Sequence, residues 1–122
     1  MKMISRNGIA AAALSAAGAL TAAGPLTAQE AIKIGVLEDQ SGDFAAATNV
    51  KVHAIELAAE EINAAGGIDG RPVELVVYDT QSDNRRYQEF MRRVLQQDQV
   101  DVVFAGFSSA SREAYRPIVN QF

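Results

Sequence analysis

The chain has 122 residues and a formal net charge of −4 at pH 7, enough for one domain at most and without the basic surplus that nucleic acid or an anionic membrane would require. It contains no cysteine and a single histidine, which excludes disulfides, thiolate metal sites and a lipid-anchoring cysteine.

Lys2 and Arg6 precede an apolar, alanine-rich run from Gly8 to about Ala23, followed by Gly24-Pro25 and the small residues Thr27 and Ala28. This pattern predicts a secretory signal peptide over residues 1–28, cut after Ala28, with Ala23 and Ala31 as alternative positions. The run is interrupted by Ser15 and Gly18 and is too weak for a stable membrane span. Cleavage removes two positive charges and no negative ones, so residues 29–122 are more acidic still. A soluble protein exported to a bacterial periplasm is expected.

Ile32 to Leu37 reads as a first strand, ending in the polar loop Glu38-Asp39-Gln40-Ser41-Gly42-Asp43. A helix is predicted to begin between Asp43 and Thr48, both plausible caps, and to run to Asn63-Ala64-Ala65. Val52, Ile55, Ala58, Ala59 and Ile62 fall on one arc, with His53, Glu56 and Glu60 opposite. Gly66-Gly67 ends this helix and Asp69-Gly70-Arg71-Pro72 adds a turn. Val73 to Tyr78 is the second strand, closed by Asp79. Ser82 or Asp83 caps a second helix whose buried stripe is Tyr87, Phe90, Met91, Val94 and Leu95, with Arg85, Arg86, Arg92 and Arg93 on a solvated face.

Val102 to Ala105 is an unbroken apolar run, the pattern of a strand covered on both faces of a parallel sheet. Gly106 permits a tight turn, and Ser108, Ser109 and Ser111 bring hydroxyls to the carboxyl end of the strand, where open α/β sheets bind ligands. Arg112 to Gln121 reads as a third helix, with Pro117 tolerable in its first turn or at a kink. The alternation predicts an α/β fold, a three-layer αβα arrangement around a parallel sheet of order 2-1-3, with the third strand at an edge that further chain would cover.

Several of these strings resemble the periplasmic solute-binding proteins of ABC transporters, branched-chain amino acid (Leu/Ile/Val-binding) type. They are Ile34-Gly35-Val36-Leu37 with Ser41-Gly42, the run Glu60 to Pro72, the strand end Tyr78-Asp79, and the Gly106 to Arg112 turn. Ser108 to Arg112 with Pro117 also resembles the members that bind amides or urea. The resemblance implies a two-lobed type I fold, of which residues 29–122 form the N-terminal part of the first lobe. It implies a protein that closes on a small amino acid or amide and delivers it to an ABC permease in the inner membrane, with no cofactor and no catalysis. Carried onto this chain, Ser109 is the main hydroxyl contact, Phe107 an aromatic wall, and Ser108 or Ser111 a helper. The loop Asp39 to Phe44, Gln40 and Phe44 in it, lines the cleft from the other side.

Other readings of the same residues remain. The serine cluster fits a helix N-cap. Gly106-Phe107-Ser108-Ser109-Ala110 also fits a relaxed nucleophile elbow, but a hydrolase needs a base and an acid downstream, and His53 lies upstream. His53 with Glu56 is a surface pair rather than a ligand set. Asp79 could hold a ribose hydroxyl, but the first loop lacks the glycine spacing that a pyrophosphate needs. Phe44 and Phe107 fit cleft walls and core equally. A remnant without solute function is the alternative to the transport reading.

Overall fold

The computed structural model describes residues 29–122, so the signal peptide expected over 1–28 lies outside the described residues. Its centre is β1 (Ile32–Glu38). On one side β1 pairs in parallel with β2 (Val73–Asp79), from Ile32 opposite Val73 to Glu38 opposite Asp79. On the other it pairs in parallel with the shorter β3 (Val102–Ala105), from Ile34 opposite Val102 to Leu37 opposite Ala105. The order β2-β1-β3 is the one expected.

The helices α1 (Ala45–Ala64), α2 (Asn84–Gln96) and α3 (Ser109–Val119) complete a βαβαβα chain. Strand alternation sends Leu37, Val76, Tyr78, Val103 and Ala105 to one face, where they meet Tyr87 and Met91 of α2 and Ile118 of α3. Tyr78 stacks on Phe90, ring centroids 4.7 Å apart, and the Arg93 guanidinium lies over the Tyr78 ring. Arg93 is therefore not simply solvated, because its planar cation finds an aromatic face. The opposite face receives α1, whose Val52 and Ala59 are buried, while Ala58 and Ile62 remain exposed at the margin of the predicted arc.

Three expectations need correction. The run Val102 to Ala105 is not covered on both faces: Val102 and Phe104 are about half exposed, because α1 packs mainly over β1 and β2. Neither Asp43 nor Thr48 caps α1. Phe44 holds the cap position without a side-chain bond, and the Thr48 hydroxyl donates back to the Asp39 and Phe44 carbonyls instead. The third helix starts at Ser109 rather than Arg112, since the Ser108 side chain caps it, and Pro117 lies in its last turn with two helical residues after it. At that position proline removes a single intrahelical bond near a frayed end.

The turn between α1 and β2 explains why its sequence is so particular. Asn63 donates from Nδ2 to the Val73 carbonyl at 2.8 Å and accepts from the Val73 N–H at 2.7 Å. Ile68 and Arg71 exchange two 2.9 Å backbone bonds around Asp69-Gly70, both at positive φ, a primed two-residue turn. Gly67 has φ +80°, and an added Cβ would lie 2.1 Å from the Arg71 carbonyl oxygen, so a side chain is excluded there.

At the other end of the sheet Asp79 holds the β1 loop. Its carboxylate accepts from the N–H groups of Gln40, Ser41 and Gln81 and from the Ser41 hydroxyl at 2.7 Å. Burial disfavours the charged form, but the Ser41 hydroxyl and these N–H groups outweigh it and hold the carboxyl below its ordinary value of 3.8.

Replacing Asn63 with Ala strands both polar groups of Val73 and should cost about 1–3 kcal/mol in denaturant unfolding. For Asp79 the depressed folded pKa means that its contribution is full above the ordinary value and is lost as pH falls through the folded one. Acid unfolding should therefore show a loss of stability below about pH 4 that Asp79→Asn, less stable at neutral pH, lacks.

Candidate functional site

Three loops converge at the carboxyl ends of the strands, and Asp39 joins the first two. Its Oδ1 accepts from the Thr80 hydroxyl and from the Ser82 N–H at 2.9 Å, while the Ser82 hydroxyl accepts from the Phe44 N–H at 3.1 Å. Gly42, at φ +88°, lies so close to the β2 loop that an added Cβ would sit 2.5 Å from the Gln81 carbonyl oxygen.

The third loop follows β3. The Gly106 N–H donates to the Leu37 carbonyl at 3.2 Å, and the Tyr115 hydroxyl returns from α3 to the Ala105 carbonyl at 3.0 Å. Ser108 then caps α3, its Oγ accepting from the Ser111 N–H at 3.1 Å, while the Ser111 hydroxyl donates to the Ser108 carbonyl at 2.8 Å. The first-turn N–H groups of Ser109 and Ala110 have no intrahelical acceptor and face the anionic-preferring end of the helix dipole.

Between these loops is a cavity of about 180 Å³. Of the residues predicted for the site, Phe44, Ser108 and Ser111 line it, joined by Ala110. Phe107 lies outside this wall but packs on Phe44, with ring centroids 5.4 Å apart. Ser109 is exposed at the start of α3. Gln40 is half-buried and turns its backbone to the structure, donating to Asp79 and accepting from the Asn49 amide at 3.2 Å. Asp39, from the loop expected to line the cleft, completes the wall with Ser82, Asn84 and Tyr87, which were not among the predicted site residues. Tyr87 could not have been found from the sequence, since its helical spacing reads as core.

The wall combines hydroxyl, amide, carboxylate and aromatic side chains. No Lys, Arg or His lines it. The Ser108 hydroxyl is committed to the cap and to Ser111, and His53 pairs on the surface of α1 with Glu56 at 3.1 Å. A serine nucleophile with its base is thus not assembled among the described residues. They also hold no cluster that could bind a metal and no helix long and apolar enough to cross a membrane.

Comparison with known proteins agrees with this fold. The family described as periplasmic binding protein matches residues 31–122. Leu/Ile/Val-binding protein homolog 7 of Brucella abortus (strain 2308) is 37% identical over 78 residues, covering 64% of this chain and 19% of the relative. Homolog 8 of the same strain is 37% identical over 79 residues, with 65% and 19% covered. Among solved structures, the branched-chain amino acid transporter substrate-binding protein LivJ of Streptococcus pneumoniae, in complex with isoleucine, superposes with a TM-score of 0.72 at 32% identity. It covers 75% of this chain, which spans 26% of that structure. A putative branched-chain amino acid ABC transporter protein of Rhodospirillum rubrum gives a TM-score of 0.70 at 30% identity, with 75% and 26% covered. The chain therefore spans about a fifth of the curated relatives and a quarter of the solved structures. On its fold, its turn sequences and the match across residues 31–122, this chain belongs to the periplasmic binding protein family.

Proposed function

We propose that this chain forms the opening part of the first lobe of a substrate-binding component of an ABC importer. It captures an amino acid or small amide in the periplasm and passes it to a permease in the inner membrane, without catalysing a reaction. The observation that carries this reading is the convergence of three sheet-edge loops on one cavity beside the free N–H groups of α3. The isoleucine named in the complex of the similar LivJ protein supports an amino-acid-sized solute.

In this reading Ser109 offers its hydroxyl and N–H to a carbonyl or carboxylate oxygen. Phe107 and Phe44 form an aromatic wall, and Ser108 and Ser111 hold the turn in shape. Capture is differential binding: the closed state gains contacts from a second surface, so the solute shifts the population toward closure. Residues 1–28 act as an export signal.

Calorimetric titration of the protein as its gene encodes it, recovered from the periplasm of its host with an N-terminus at Gln29, should give saturable binding of a branched-chain amino acid or a short amide. Ser109→Ala should weaken that affinity roughly three- to tenfold, the worth of one hydrogen bond. Absence of affinity for every branched-chain, aromatic and amidic solute overturns the reading.

A further inference from the structure

The turn that carries Ser108, Ser109 and Ser111 is held at its root by a side chain outside that motif. Tyr115, from the second turn of α3, donates its hydroxyl to the Ala105 carbonyl at 3.0 Å, so one bond ties the last residue of β3 to the middle of the helix. Gly106 lies inside the loop thus closed, at φ +79°, and its backbone rests directly on the phenol. A Cβ added there would sit 3.2 Å from Tyr115 Cε1, 3.3 Å from the Tyr115 hydroxyl oxygen and 3.1 Å from Ser111 Oγ. The bend that opens the turn is therefore seated on Tyr115 and Ser111 together, and a shift of the phenol is passed to the serines through Gly106.

Packing alone does not fix the phenol. Tyr115 is half-buried, its ring centroid is 6.0 Å from that of Tyr87, and with Leu95, Val103 and Val119 it lines an apolar cavity of about 310 Å³. A ring bordered by free volume is contacted on some sides only, and no close-packed shell resists its displacement. The hydroxyl bond supplies the missing constraint. Burial pushes the phenol above its ordinary value of 10.0, so the donor stays protonated. Phenylalanine at this position keeps the ring and removes the tie.

We propose that Tyr115 is a positioning residue of the solute site: through Gly106 and Ser111 it sets the angle at which α3 presents its first N–H groups at the strand ends. This rests on the solute-binding reading above. In the test, the protein as its gene encodes it, wild type and with Tyr115→Phe or Asn63→Ala, is titrated with L-isoleucine and with butyramide. Amide hydrogen exchange is read in parallel at Gly106, Ser111 and Arg112, whose N–H groups are bonded within or beside the turn. Tyr115→Phe should weaken the probe that binds roughly three- to tenfold, the effect of one lost hydrogen bond on a preorganised donor set. It should also speed exchange at those three amides at least roughly threefold more than in β2. Asn63→Ala removes bonds at the far end of the sheet, so it should lower stability and leave probe affinity unchanged. Affinity unchanged in Tyr115→Phe, or weakened equally in Asn63→Ala, overturns the inference while the transport reading stands. If neither probe binds the wild type, the transport reading falls and exchange decides: turn amides no faster than those of β2 overturn the positioning role, and faster ones uphold it.

Discussion

The central strand is buried on both faces and yet ends in two consecutive carboxylates, and the arrangement of the strand ends follows from how those charges are accommodated. Val36 and Leu37 are closed to solvent, and so are Glu38 and Asp39 immediately after them. Alternation sends the two acids to opposite sides of the sheet. Glu38 meets α1, where the Lys51 Nζ lies 2.5 Å from Oε1. Burial raises the Glu38 carboxyl above its ordinary value, and the Lys51 ammonium only partly offsets this. Asp39 meets the β2 loop and spends its Oδ1 on Thr80 and Ser82. One acid thus anchors the first helix and the other ties two loops together, so the loops cannot move without leaving a buried charge without partners.

This constraint also separates what the sequence could disclose from what it could not. Strand order, parallel pairing and the α2 stripe were legible because Ile32 to Leu37, Val73 to Tyr78 and the spacing of Tyr87, Met91 and Val94 each carry an unambiguous period. The Asp83 cap was legible for the same local reason, with its carboxylate accepting from the Arg85 N–H at 2.7 Å. The α1 start was not. Thr48 looks like a cap, but its hydroxyl is drawn to the Asp39 carbonyl, a partner nine residues away that only the folded loop supplies. The apolar run of β3 was misread as doubly covered because composition cannot say how far a helix on the other side of the sheet extends. At the site, the serine turn and Phe44 were visible as local motifs. Tyr87 lines the cavity from α2, and its helical spacing marks it only as core, whereas Asp39 belongs to the loop expected to line the cleft.

The serine cluster shows how one motif can serve two purposes. Ser108 and Ser111 are occupied with each other and with the first turn of α3, which is the cap reading. That engagement occupies both hydroxyls and orders the turn, and it leaves the first N–H groups of α3 without an intrahelical acceptor. Capping and the proposed recognition are therefore compatible, since a cap holds the turn in one geometry and preorganised donors lose less on binding.

The two faces of the sheet are unequally covered among the described residues, and the site rests on the better covered one. On the α1 side, Val102 and Phe104 stay half exposed, and Phe104 joins Ile34, Ile55 and Ile62 around an apolar cavity of about 200 Å³. On the α2 and α3 side, Leu37, Met91, Val94 and Ile118 close the core beneath Tyr87. Tyr87 and Ser111, which form the floor of the polar cavity, are both buried in that packed side. The geometry of the floor is thus set by contacts already complete within residues 29–122, independently of whatever covers Phe104. The lip is different in kind: Phe44 and Phe107 are exposed and pack on each other above that floor.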